Sequence, residues 1–143
     1  MPGKVVTTGF SDSGNEYTAT LLTITRPADD VVKRTNQFNS PAPEGQEFVI
    51  FRVRVGYDKS GKPDQLTTRL SHCDFDLLVQ SGEILKGCSQ PFAVIPDEFR
   101  KELVPGGVAE GNLLFAVNKG MAMNALVFKF SDFGRQGAWF GIR

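Results

Sequence analysis

The chain's single histidine, His72, adjoins Cys73, one of only two cysteines, and the other is Cys88. An imidazole beside a thiol could take the thiol proton and leave a nucleophilic thiolate. Two thiolates and an imidazole are also ligand types that zinc accepts. Both chemistries require the side chains to converge. Read as the start of a strand, His72 and Cys73 point to opposite faces and diverge, and a buried or bridged cysteine is no nucleophile. Structural zinc wants four ligands, which one histidine and two cysteines do not supply. His72 is therefore expected on a solvent face near a strand start, with no catalytic, cofactor-binding or metal-binding role.

The other candidates have simpler readings. Asp74 and Asp76 could line a calcium site, but at a spacing of two they fit the wet face of an amphipathic strand. Asp97 and Glu98 fit the first turn of a helix, where the dipole favours acids. Pro105-Gly106-Gly107 lacks the following lysine and helix of a phosphate cradle. No G-x-S-x-G, Walker A, Rossmann, H-E-x-x-H or EF-hand pattern occurs. Trp139 alternates with Phe140, so one ring faces outward; with Arg135 and Arg143 it forms a candidate interaction surface.

The elements that must position these residues are strands. Short apolar runs separated by Gly, Pro, Asn, Asp and Ser clusters give the pattern of an all-β sandwich or barrel. In the clearest run, Val49, Phe51, Val53, Val55 and Tyr57 share a face opposite Arg52 and Arg54. A second strand is expected from Cys73 to Gln80, with Phe75, Leu77 and Val79 inward and Asp74 and Asp76 toward water. Ser81-Gly82 turns it, and Glu83 to Cys88 returns. Further strands are expected at Tyr17 to Thr25, Gly111 to Val117, Asn124 to Phe130 and Ala138 to Ile142, with a weaker one at Val5 to Phe10. One short helix is expected over Pro96 to Leu103, since Pro suits a first turn and Phe99 and Leu103 sit four apart. The polar stretch from Arg26 to Gly45 reads as a loop.

This hairpin places Cys73 opposite or nearly opposite Cys88. A bridge closing a loop of this length would contribute roughly 3 kcal/mol. The competing reading is a pair of reduced cysteines packed as small hydrophobes. The bridged reading predicts that unfolded protein resists thiol alkylation until reductant is added. Prompt labelling of two thiols would contradict it.

Composition narrows the function classes. The 143 residues suit one domain spanning the chain. Lys plus Arg and Asp plus Glu number 16 each, and a chain with no cationic excess is a poor nucleic-acid binder. No run approaches the roughly 20 apolar residues of a membrane span, and the first residues contain no secretory apolar region. A disulfide implies an oxidising compartment. If the chain is exported, its signal or anchor is absent from this sequence.

Several motifs carry a family likeness. They are Asn36-Gln37-Phe38-Asn39-Ser40-Pro41, Glu44-Gly45 and the strand Gln46 to Val55, then Phe75-Asp76-Leu77 and the Cys88 region. Leu103 to Gly107, Gly111 to Val117 and Leu126-Val127-Phe128 continue it. Over about Tyr17 to Phe130 the chain resembles the DUF4352, telokin-like group of bacterial proteins, which includes a mycobacterial secreted immunogenic antigen. The tail from Ser131 to Arg143 lies outside the resemblance. The resemblance implies an immunoglobulin-like antiparallel β-sandwich, here of about 7–9 strands with one short helix, secreted or anchored at the cell envelope. It supplies no catalytic residues. The expectation is a non-enzymatic domain that binds a protein partner at the cell surface. The alternative is a small-ligand or metal carrier or sensor, with a Phe-lined cavity or clustered carboxylates.

Overall fold

The alternating segment Gln46–Lys59 forms the longest strand, β3 in chain order. The computed structural model describes residues 7–12, 15–61, 67–129 and 137–142. Before β3 come β1 (Thr7–Asp12), β2 (Asn15–Thr25) and a helix, α1 (Asp29–Thr35). After it come β4 (Thr68–Ser71), β5 (Phe75–Val79), β6 (Ile84–Lys86), β7 (Arg100–Leu103), β8 (Gly107–Asn118), β9 (Met123–Lys129) and β10 (Gly137–Gly141). One four-stranded sheet has the order β1-β2-β3-β8 and another β10-β9-β5-β6, while β4 and β7 make a two-stranded ribbon. All these named pairs are antiparallel. The result is an all-β sandwich with ten strands among the described residues, more than expected because β4 and β7 had no clear alternation to reveal them.

The sheets meet through side chains two apart, as the strand period requires. Val49, Phe51, Val53, Val55 and Tyr57 of β3, Leu113, Phe115 and Val117 of β8, and Phe75, Leu77 and Val79 of β5 are buried in one cluster with Leu126 and Phe128 of β9. The rings fill space against one another. Phe75 stacks on Phe128 at 4.9 Å and meets Phe99 edge-on at 5.6 Å. Across the sandwich, Tyr17 of β2 meets Phe128 edge-on at 6.0 Å. Each fully buried side chain of this size is worth about 1.5–3 kcal/mol.

The opposite face of β3 is not uniformly wet. Arg52 and Arg54 do point outward, where Arg52 pairs with Asp97 and both pair with Glu110. Phe48 and Ile50, however, join Leu114 and Ala116 of β8 in a second, smaller core. Ala28 and Val32 of the α1 region cover it, together with Ala93 and Ile95.

The helix therefore lies elsewhere than expected. Residues 26–45 contain α1, and Ala28 and Val32, four apart, supply its dry side. Its acids Asp29 and Asp30 occupy the first turn and Lys33 and Arg34 the last, the order the helix dipole favours. Pro96 to Leu103 is not helical. Its backbone is bonded elsewhere: Phe99 N–H donates to the Asn112 carbonyl and Asn112 N–H to that of Asp97, each at 2.9 Å. Arg100–Leu103 then pairs with β4. A spacing of four puts Phe99 and Leu103 on one face of a strand as well as of a helix, so it could not distinguish the two.

Tyr57 is wholly buried, and its hydroxyl has no hydrogen-bond partner among the described residues. An unsatisfied buried hydroxyl is a cost. Tyr57→Phe is expected to raise stability by up to about 1 kcal/mol in urea unfolding, whereas a loss of that size would reveal a partner.

Candidate functional site

The chemistry-bearing residues gather beyond the ends of the β5–β6 hairpin. That ladder pairs Asp76 with Lys86 and Leu78 with Ile84, and Gly82, at φ +89, makes the turn possible. Past the ladder, His72–Asp74 and Gly87–Ser89 each form a single 3-10 turn. A disulfide joins Cys73 to Cys88, with their Cα atoms 4.3 Å apart.

Because His72 and Cys73 lie on a turn rather than a strand, the expected divergence does not occur. An imidazole nitrogen and both sulfurs lie within 4.8 Å of one another. His72 and Cys88 also line an open cleft of about 220 Å³, with Gln90, Phe92, Glu98 and Arg100 on its walls.

Each turn is held by bonds other than the disulfide. The Ser71 hydroxyl accepts from Cys73 N–H at 3.2 Å, and the Asp74 carboxylate accepts from Ser71 N–H at 2.8 Å. This reciprocal arrangement caps the first turn. Asp76 accepts from Gly87 N–H at 3.4 Å. Gln90 donates to the Lys86 carbonyl and accepts from Ala116 N–H, tying the second turn to β8.

The two aspartates are buried, contrary to the wet face expected for them: Asp74 is 8% and Asp76 5% exposed. Asp74 is turned back onto Ser71. Asp76 sits between Lys86 at 3.4 Å and Lys129 of the adjoining strand at 3.2 Å. Strand alternation located Asp76 off the core face but could not foresee that lysines from two neighbouring strands would cover it, and Asp74 lies on the 3-10 turn before β5, where alternation does not apply. Both carboxylates are engaged with protein donors, so they do not make the open acidic cluster that a calcium or carrier site would need.

Burial pushes the Asp74 carboxyl above its usual range, opposed by the Ser71 N–H and by the positive charges of Lys129 and His72. The folded state therefore holds this proton to higher pH than the unfolded chain. Its contribution is fully present below the unfolded value of 3.8 and is lost as pH rises through the folded value. Asp74→Asn, which mimics the protonated acid, should thus gain in melting temperature relative to the parent between acid and neutral pH. A constant difference across that range would contradict the assignment. Glu110 shows the opposite shift: its bond from Arg54 holds it below the usual carboxylate range, with Arg52 adding to the effect.

A second feature lies over the small core on the outer face of β3 and β8. Phe38 and Phe92 are each 85% exposed, and Val94 is 40% exposed. Asn39 cross-links their two loops. Its amide donates to the carbonyls of Val32 at 2.9 Å and Val94 at 2.8 Å, and its carbonyl oxygen accepts from Val94 N–H at 2.9 Å. No periodicity marked these rings as exposed. The usable signal at Phe38 was a bulky apolar residue inside a polar, proline-containing loop; Phe92 lies in the apolar run Phe92-Ala93-Val94-Ile95 between two prolines, where nothing in the sequence separates the exposed ring from buried Ala93 and Ile95.

The expected surface of Trp139, Arg135 and Arg143 falls largely outside the described residues, where Arg135 and Arg143 both lie. In β10 the backbone of Trp139 pairs with Val127 of β9, and its side chain is outside the description. No helix among the described residues is long and apolar enough to cross a membrane. Compared with known proteins, the chain matches no family model, no curated protein and no solved structure.

Proposed function

We propose that this chain is an immunoglobulin-like, non-enzymatic binding module that acts outside the cytoplasm and contacts a protein partner. The observation that carries the proposal is the pair of rings Phe38 and Phe92, each 85% exposed on loops cross-linked by Asn39. Neither ring is buried in either core, so folding gives no reason for them. Aromatic side chains on braced loops cost little ordering entropy on binding and are typical anchors of protein interfaces.

The disulfide supports an oxidising compartment for this module. Such a bond persists in oxidising surroundings and is rare in the cytosol. The family resemblance expected from the motifs would imply the same compartment. The equal numbers of cationic and anionic side chains favour a protein partner over nucleic acid.

The test compares the parent chain with a Phe38→Ser/Phe92→Ser variant as baits in cross-linking on source-cell envelopes. Both should melt at nearly the same temperature, because exposed rings contribute little to folding. A partner captured by the parent and lost from the variant is the expected result. Equal capture by the two, or no capture by either, would overturn the proposal.

A further inference from the structure

We infer that reduction of the Cys73–Cys88 bond converts the paired turns into a binding site for a soft monovalent cation, Cu⁺, with His72 as the third ligand. The inference rests on convergence: one imidazole nitrogen and two sulfurs within 4.8 Å of one another. A three-coordinate site with metal–sulfur bonds of about 2.3 Å and a metal–nitrogen bond of about 2.0 Å places its donors about 4 Å apart. Small side-chain rotations reach that geometry once the sulfurs separate. Thiolates favour Cu⁺, zinc and iron–sulfur clusters; three donors can complete the shell of Cu⁺, whereas structural zinc would still lack a fourth.

The donors remain gathered after reduction because the disulfide is not what holds the turns. The Ser71–Asp74 bonds fix the first turn, and Asp76 and Gln90 fix the second. Access is provided by the open cleft that His72 and Cys88 line. The cation on its wall, Arg100, is paired with Glu98 at 3.4 Å, which limits repulsion of an incoming ion.

The chemistry balances as follows. Two electrons and two protons enter the S–S bond from a dithiol donor, which is itself oxidised to its disulfide, leaving two thiols. Cu⁺ then bonds to both sulfurs and displaces their protons to solvent. The His72 ring contributes a nitrogen lone pair, and any proton on that nitrogen passes to solvent with those of the thiols. With the bond closed, the sulfurs are committed to each other and the site is switched off.

The test uses the whole chain, reduced with a phosphine and freed of excess under nitrogen, with Cu⁺ titrated against bicinchoninate as a coloured competitor. Near-ultraviolet circular dichroism follows the fold at each stage. One Cu⁺ per reduced chain is expected, with no competitive binding by the oxidised chain. His72→Ala should weaken binding by roughly tenfold or more, and Cys73→Ser/Cys88→Ser should behave like the oxidised chain. Unchanged affinity in His72→Ala, equal binding by the oxidised chain, or loss of the folded signal on reduction would each overturn the inference.

Discussion

Phe75→Ala is expected to lower the unfolding free energy by about 4 kcal/mol, within the 3–5 kcal/mol typical of deleting a fully buried Phe. The ring is wholly buried. It stacks on Phe128 of the neighbouring strand and meets Phe99 of the segment that crosses β8. Its removal therefore weakens the β5–β9 pair and the seating of that crossing segment together. Collapse into the gap is opposed by the strands on both sides, so much of the cavity cost should remain. Urea unfolding monitored by Trp fluorescence and circular dichroism would measure it. A loss below about 1 kcal/mol would mean that the ring is not in the core.

Gly87→Ala should cost on the order of 4 kcal/mol, although it adds only one methyl group. A Cβ at Gly87 would overlap the backbone carbonyl oxygens of His72 and Phe75. Neither oxygen belongs to a flexible side chain that could swing away, so one of the two turns must move. Movement would lengthen the bond from Gly87 N–H to Asp76 and leave a buried carboxylate with one donor fewer. It would also pull on Cys88, the next residue, and through it on Cys73. The same variant should then lose the gathering of His72 with the two sulfurs. A melting temperature equal to the parent's would show that the two turns do not pack this closely.

These effects differ in how far the sequence announced them. The inward side of the sandwich was legible because strand alternation is a strong local signal. Val49 to Tyr57, Phe75 to Val79 and Leu113 to Val117 are buried as their spacing implies. The pairing of Cys73 with Cys88 was legible as well, since a turn at Ser81-Gly82 brings them near by counting alone. What was hidden depends on contacts distant in sequence. Asp76 is buried because Lys129 arrives from another strand. Residues 96–99 are not helical because Asn112 takes their backbone bonds.

The helix Asp29–Thr35 is a different case. Its acid-first, base-last order and the Ala28–Val32 spacing were visible, but at seven residues it is too short for periodicity to stand out against the surrounding prolines. The convergence of His72 with the cysteines was hidden for a related reason. A single 3-10 turn at the mouth of a strand overrides alternation at just the residues that carry the chemistry. The exposed rings of Phe38 and Phe92 lie on loops, where side-chain direction has no period to read.

Both sites depend on one arrangement, two antiparallel sheets whose inner faces interlock and leave turns and loops outside as fixed platforms. Aromatic nuclear Overhauser spectroscopy tests that arrangement directly. It should show cross-peaks between the rings of Tyr17 and Phe128, which belong to different sheets, and between Phe75 and both Phe99 and Phe128. If Tyr17 contacts only residues of its own sheet, the sheets do not face each other and the account fails.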